Sequence, residues 1–385
     1  MNKKNTIFGQ ILQLISRYEF QKAVKMQNGD KYNKGYTTWN HFVALLYAQL
    51  AGLDAIRAIV SGIAIYVKKL YHLGIKKIKR STFSYANNRR SHKIFEKIFY
   101  YMLNKTMKTV PTHKFKFKNP LYSMDSSTID LCLSLHDWAK FRTTKGGIKL
   151  HLKYDHSGYI PSFAVITNAK VNDMKAARLI PYKKGDVVVF DRGYNDYELF
   201  ATYYTKGIYF ITRLKKNAKY KVIERRSVKK YKNISSDQII EFTGFYSKQK
   251  CPLRLRRIRV KDPETGKYIV LLTNHLTWSV KTIASIYKER WQIEIFFKTM
   301  KQRLKIKSFL GTTENAIKAQ IWVALITYLL LSYLKFQSKY GWTIYNLSII
   351  IATCLFLRKD LWEWINYPFG VENNRFVDTL QGELF

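Results

Sequence analysis

Three acids of a strongly basic chain stand where acids are costly. Asp125 sits inside the strand-like run LYSMDSSTI, between Met124 and Ser126. Asp191 ends the apolar run of DVVVFDRGY, directly before Arg192 and Gly193. Glu294 lies within YKERWQIEIFFKTMK, residues 287–301, among large apolar side chains. A carboxylate in such surroundings needs a cation to hold it there. Carboxylates converging from separate elements are the hard-oxygen donors that suit Mg²⁺. Two such ions can activate a water or a sugar hydroxyl and stabilise the leaving oxygen of a phosphodiester.

The third acid has company. On a helix turning about 100° per residue, with Tyr287 at zero, Arg290 falls at about 300°, Lys301 at about 320° and Glu294 at about 340°. A phenol, two cations and an acid therefore share one narrow stripe, a grouping able to hold phosphate oxygens. Ile286, Ile293, Phe296, Phe297, Met300 and Leu304 form the adjacent buried stripe, and Glu289, at about 200°, lies away from the polar one. An ordinary i,i+4 pair between Arg290 and Glu294 on a surface helix has the same spacing. The two strand-borne acids are what favour chemistry.

The set Tyr287, Arg290, Glu294 and Lys301, with Asp125 in YSMDSST and Asp191 in VVVFDRGYN, resembles the YREK signature of the insertion-sequence-4 group of DDE transposases. KGGIKLHLKYD and NDMKAA are also similar to that family, and the resemblance spans residues 120–310. It implies a ribonuclease H-like core with Asp125, Asp191 and Glu294 as catalytic residues and as ligands of two Mg²⁺ ions, Mn²⁺ substituting. Asp125 would bridge both ions. The resemblance implies Tyr287, Arg290 and Lys301 on phosphates beside the cut, Arg192, Ser126 and Ser127 on the DNA backbone, and Trp291 stacked on a displaced base. Plain packing is the other reading of Trp291, and Trp278 is a second stacking candidate. The interval from Asp191 to Glu294, 294 − 191 = 103 positions, suits a family that inserts a β-rich domain there. The implied function is cut-and-paste DNA transposition: binding of terminal inverted repeats, Mg²⁺-dependent strand cleavage, then strand transfer into target DNA. The implied setting is a homodimer in a synaptic complex on double-stranded DNA, in the cytoplasm and nucleoid of a bacterium. Two other readings stay open: a catalytically inactive DNA-binding remnant or repressor, and another ribonuclease H-like nuclease.

These residues need a scaffold, and the pattern predicts an α/β one. Residues 1–105 read as an amphipathic helical N-terminal domain that binds DNA. Within it, the predicted helix 81–103, capped by Ser81, carries Asn87, Asn88, Arg89 and Arg90 on its first turns. That is either a groove-reading surface or a solvated face. Residues 118–214 and 267–310 form a mixed sheet with flanking helices, interrupted by a basic β-rich insertion at 215–266. Ile148, Leu150, Leu152 and Tyr154 alternate with Lys149, His151 and Lys153, so one face of that strand is core. His151 and the acids Asp130, Asp155, Asp173, Asp196 and Glu198 read as caps or surface groups. Residues 311–385 are a helical C-terminal region whose apolar runs, 321–334 and 344–357, fall short of the roughly 18 residues of a membrane span. They predict a buried helical hairpin, with no membrane partner.

Composition agrees with this reading. Lys and Arg number 67 against 26 acids, a net charge of +41 spread along the chain. That points to a polyanion, nucleic acid before an anionic membrane. The three cysteines, Cys132, Cys251 and Cys354, lie too far apart in sequence for a zinc knuckle and fit no disulfide framework. The start, interrupted by Gln10, Gln13, Ser16 and Arg17, reads as an amphipathic helix and not a signal peptide.

Overall fold

The computed structural model describes residues 5–142, 145–262 and 265–370. The chain divides into two units, one made of the residues up to Pro111 and those from Lys298 onward, the other running from Thr112 to Phe297.

The first unit is helical. It opens with α1 (Ile7–Gln13), α2 (Arg17–Met26), α3 (Thr38–Ala51), α4 (Ile56–Leu70), α5 (Arg80–Arg89) and α6 (Lys93–Met107). The single helix expected at the start is two, because the Ser16 side chain accepts from the Glu19 amide and caps α2. Thr37 and Asn40 close a reciprocal capping box on α3. The helix expected over 81–103 is also two. It begins at Arg80 without a side-chain cap and stops at Arg89. There the Nδ2 of Asn315 donates to the carbonyls of Asn87 (3.3 Å), Asn88 (3.3 Å) and Arg90 (2.7 Å), while its Oδ1 accepts from the His92 amide at 3.0 Å. One amide side chain so satisfies the groups a helix end leaves open.

The second unit is built on a 10-stranded sheet. In chain order its elements are β1 (Leu121–Leu131), β2 (Lys140–Arg142), β3 (Lys145–Asp155), β4 (Ile160–Asn168), α7 (Asp173–Ala177), β5 (Val187–Phe190), α8 (Tyr197–Thr205), β6 (Tyr209–Arg213), β7 (Tyr220–Arg226), β8 (Ile234–Phe242), α9 (Phe245–Lys250), β9 (Leu255–Lys261), β10 (Tyr268–Thr273), α10 (Val280–Glu289) and α11 (Trp291–Gln302), the last carrying the chain past Phe297. The order across the sheet is β2-β3-β1-β5-β6-β10-β9-β8-β7, with β4 paired to β3. β1, β5 and β6 run parallel to one another and the other pairings are antiparallel. The expected insertion is β-rich, but its strands add to the core sheet through β10, which pairs with both β6 and β9.

Both faces of the central strands are covered, which is why VVVF has no polar alternation. Val187 and Val189 pack with Val280, Ile283 and Ile286 of α10. Val188 and Phe190 pack with Leu199, Phe200 and Tyr203 of α8. On β3 the apolar face is buried as expected, but His151 and Lys153 are buried as well. The Lys153 ammonium is held by the Pro181 carbonyl at 2.8 Å and by Asp186 at 3.5 Å.

The chain then returns to the helical unit with α12 (Glu314–Gln337), α13 (Ile344–Cys354) and α14 (Leu361–Asn366). α12 is longer than its apolar run suggested, at 24 residues long and apolar enough to cross a membrane. It is nevertheless the core helix of this unit, packed on α3, α6 and α13, and its all-round apolar surface follows from that burial. The N- and C-terminal helices thus make one unit where two domains were expected. Positions 371–385 of the predicted C-terminal region lie outside the described residues.

Candidate active site

Strand register brings two of the three acids together. β1 and β5 are parallel, with Met124 opposite Phe190. The next residue on each chain is an acid, so Asp125 and Asp191 follow side by side at roughly the 4.8 Å spacing of neighbouring strands. Side chains alternate along a strand. Asp125 therefore shares the face of Leu121, and Asp191 that of Val187 and Val189, which is the face packed by α10. Asp191 leaves the strand extended, and its carbonyl accepts from the Tyr194 amide at 3.0 Å to close a tight turn.

The third acid arrives on that face by way of a break in the helix. One continuous helix was expected across residues 287–301, but α10 ends at Glu289 and α11 begins at Trp291. At the junction the Arg290 amide donates to the Tyr287 carbonyl (3.2 Å), and the Arg290 carbonyl takes the Ile293 amide (3.2 Å). Glu289 turns inward, bonded to Lys114 at 2.6 Å and to the Tyr159 hydroxyl at 2.8 Å. Ser279, capping α10 through the Thr282 amide, sets where this helix starts.

Arg290 ties the acids together. Its Nη2 donates to Glu294 Oε1 at 2.6 Å and its Nη1 lies 3.9 Å from Asp125 Oδ2. Burial pulls the guanidinium down, yet Tyr287, Glu294 and Asp125 together hold its pKa above the ordinary value. Asp125 is pushed up to about 6, first by burial and further by the charges of Glu294 and Asp191, against the Ser126 amide and Arg290. Burial also raises the Tyr287 phenol. Its hydroxyl is buried and has no hydrogen-bond partner among the described residues, with the Arg290 guanidinium 5.9 Å from its ring.

As they stand, no three acidic, histidine or cysteine side chains among the described residues are spaced to hold one metal ion. Arg290 links Asp125 to Glu294 instead. The donor set still suits a hard divalent cation: it is all carboxylate oxygen, drawn from β1, the end of β5 and α11, and burial, with Glu294 and Asp191 nearby, raises the Asp125 carboxyl in spite of Arg290.

A family model for the transposase DDE domain matches residues 116–330 of the chain, enclosing all three acids. The chain belongs to the DDE transposases. A second model, for a domain of unknown function, matches residues 3–76. The transposase is 33% identical to a putative transposase, y4zB, of Sinorhizobium fredii over 241 residues, 62% of this chain and 67% of the relative. It is 26% identical to the probable transposase for insertion sequence element IS5377 of Geobacillus stearothermophilus over 88% of this chain and 87% of the relative. With the putative transposase for IS4SA of Synechocystis it shares 27% identity over 68% and 74%. These relatives put it with the insertion-sequence-4 type. Among solved structures, a piggyBac transposase synaptic complex with hairpin DNA overlaps 82% of this chain and 71% of its own, at 10% identity and a TM-score of 0.41.

The other predicted site residues of the transposase fare differently. Trp291 is 59% exposed, so packing does not account for it, whereas Trp278 stacks on His275 and Phe117 within the fold. Lys301 lies about two turns beyond Glu294 on α11, where the chain has entered the helical unit. Arg192 is exposed in the turn after Asp191. Arg89 is exposed, 5.6 Å from the Tyr85 ring. Arg90 is committed internally: its guanidinium donates to the Thr37 carbonyl at 2.8 Å and to the Tyr36 carbonyl, and lies 3.9 Å from Asp30. Asn87 is buried against His41, so of the expected cluster Asn88 and Arg89 are left exposed.

Sequence reasoning assigned Asp173 to a cap or the surface. Its Oδ1 accepts from the Ser126 hydroxyl at 2.9 Å and pairs with Lys149 at 3.1 Å, one residue from Asp125. His151 lies 3.8 Å away, kept neutral because burial lowers it to about 4. Tyr194, raised by burial and then by Asp125, packs beside the same group. The NDMKAA motif was the available signal, but only the fold brings it to β1.

Proposed function

We propose that this transposase performs cut-and-paste transposition of its insertion sequence, with Asp125, Asp191 and Glu294 as catalytic residues and as ligands of two Mg²⁺ ions, Mn²⁺ serving in their place. The observation that carries the reading is the β1/β5 register, in which the two acids directly follow the paired Met124 and Phe190 on the face packed by α10. Bound there, the ions would supply Lewis acidity to the phosphodiester and lower the pKa of an attacking water or sugar hydroxyl. Arg290 neutralises Asp125 and Glu294 in their absence and turns to the scissile phosphate as that charge is met otherwise. The unpartnered Tyr287 hydroxyl donates to a phosphate oxygen, Lys301 adds a further cation, and exposed Trp291 stacks on a displaced base. Burial around Asp125 excludes water and strengthens each of these interactions.

The substrates are the element's terminal inverted repeats and a double-stranded target, held by a homodimer in a synaptic complex in the bacterial cytoplasm and nucleoid. Full-length protein and a plasmid carrying the coding region with its flanks test the reading. Mg²⁺-dependent nicking is expected from the wild type and lost in Asp191→Ala, with DNA binding retained. Nicking by that variant at the wild-type rate refutes the assignment. A wild type that binds without nicking is the inactive remnant, and one that nicks but never joins a pre-cut 3′-hydroxyl end to target DNA is another nuclease.

A further inference from the structure

On the other side of Asp191 from Arg290's partners, a shallow cavity of about 390 Å³ is lined by Asp191, Arg192, Gly193, Lys215, Lys216 and Asn217. It lies at the carboxyl ends of parallel strands, where open α/β sheets hold their ligands. β5 and β6 pair with Val189 opposite Ile211, so the turn after Asp191 and the turn after Arg213 leave the sheet next to each other. The second turn is closed by the Ala218 amide on the Lys215 carbonyl at 3.2 Å, with Lys216 and Asn217 at its apex. Lys215 is anchored, its ammonium donating to the Asn195 carbonyl at 3.1 Å.

Charge and space both point to an anion. Three cations face one carboxylate here. Elsewhere on this unit, acids are matched to cations: Glu198 holds Arg178 and Lys250, and Glu241 holds Lys221 and Arg254. Arg192 and Lys216 make no ion pair among the described residues. Gly193 gives the independent sign. A Cβ built on it meets nothing within 4 Å, and its φ is one any residue adopts. Neither packing nor backbone conformation calls for a glycine, and its bare backbone is open to close approach by a molecule from outside.

We propose that this cavity is a binding site for a backbone phosphate of the DNA strand passing Asp191, gripped by Arg192 and Lys216 against the bare backbone of Gly193, with Asn217 as a further donor. The proposal rests on the reading of Asp191 as a catalytic acid and adds Gly193, Lys216 and Asn217 to Arg192, which the resemblance already sets on the DNA backbone. The volume, more than ten times the ~30 Å³ share of a water, admits a phosphate with its sugar.

The test is equilibrium binding of a labelled DNA duplex to the full chain in EDTA, where no cutting intervenes, across a salt series. Each lost phosphate contact lowers the slope of log affinity against log salt by about 0.9. Between 50 and 200 mM salt, Lys216→Ala should therefore lose about three- to fourfold less affinity than the wild type does, beyond any change in Lys206→Ala, an exposed lysine at the end of α8 in the same unit. Gly193→Ala leaves charge unchanged and has room for its methyl, so it should melt like the wild type yet bind more weakly. The proposal falls if Gly193→Ala binds like the wild type, or if Lys216→Ala changes the slope no more than Lys206→Ala. Persistent cutting by Asp191→Ala would overturn the catalytic reading while leaving these slopes as they are.

Discussion

Asp237 on β8 and Arg256 on β9 form a bidentate pair, Nε to Oδ1 at 2.8 Å and Nη2 to Oδ2 at 2.7 Å, with side chains only 5% and 4% exposed. The remaining Arg256 nitrogen donates to the carbonyls of Leu276 (3.1 Å) and Trp278 (2.5 Å), the segment that leads into Ser279 and α10. The pair thus fastens the sheet extension to the start of α10, the helix that carries Tyr287 and ends at Glu289. Asp237→Ala leaves a buried guanidinium without its counter-charge, which costs roughly 3–5 kcal/mol. In a unit of this size that is a fall in Tm of about 6–20 °C. Hydrogen exchange of β8, β9 and α10 amides in urea reads this unit directly, and protection should drop first in α10 near Val280. Asp237→Leu with Arg256→Met should cost less than the sum of the single changes, because no charge is left stranded. A loss below about 1 kcal/mol in Asp237→Ala, or full additivity in the pair, would refute the claim that this ion pair holds α10 to the sheet.

Asp155 is buried and pushed up to about 6 from an ordinary 3.8, chiefly by desolvation. The fold therefore holds its proton more tightly than the unfolded chain, so the contribution of Asp155 to stability falls as pH rises from about 4 to about 6 and is level above. Asp155→Asn should remove that one contribution from the pH dependence, those of Asp125 and the buried histidines remaining, and add up to roughly 3 kcal/mol at pH 7, measured by urea unfolding of variant and wild type at pH 4 and pH 7. An unchanged slope would show that Asp155 is not one of its sources. Asn315→Ala removes the cap shared by α5 and α6 and should cost roughly 1–3 kcal/mol; a thermal melt unchanged from the wild type would mean that Asn315 does not set the helix break. Trp291→Ala, at an exposed position, should leave stability within about 0.5 kcal/mol and abolish the fluorescence quenching that DNA binding brings. Quenching that survives would assign it to another tryptophan.

Much of this protein is legible along the chain because its signals are local. The unbroken VVVF strand and the apolar stripe from Ile286 to Leu304 each depend on neighbours within a few residues, and both appear at their expected positions. The same locality explains what was misread. The helix over 81–103 is cut by Asn315, a residue far along the chain, and Arg90, exposed on any helical wheel, is drawn inward by carbonyls at Tyr36 and Thr37. No pattern within the segment carries that information.

The sequence by itself determined which residues have the chemistry: three acids in apolar settings, a spaced phenol and cations, and an excess of positive charge that calls for a polyanion. Only the tertiary structure decided how they meet. Parallel pairing of β1 with β5 makes Asp125 and Asp191 neighbours, and a break at Arg290 turns Glu289 into the fold and Glu294 toward Asp125. Asp173 and Lys216 acquire their surroundings in the same way, from strands and turns distant in sequence. The physical reason is that propensity and periodicity act over a few residues, whereas register and burial are set by contacts between segments whose separation along the chain leaves no local trace.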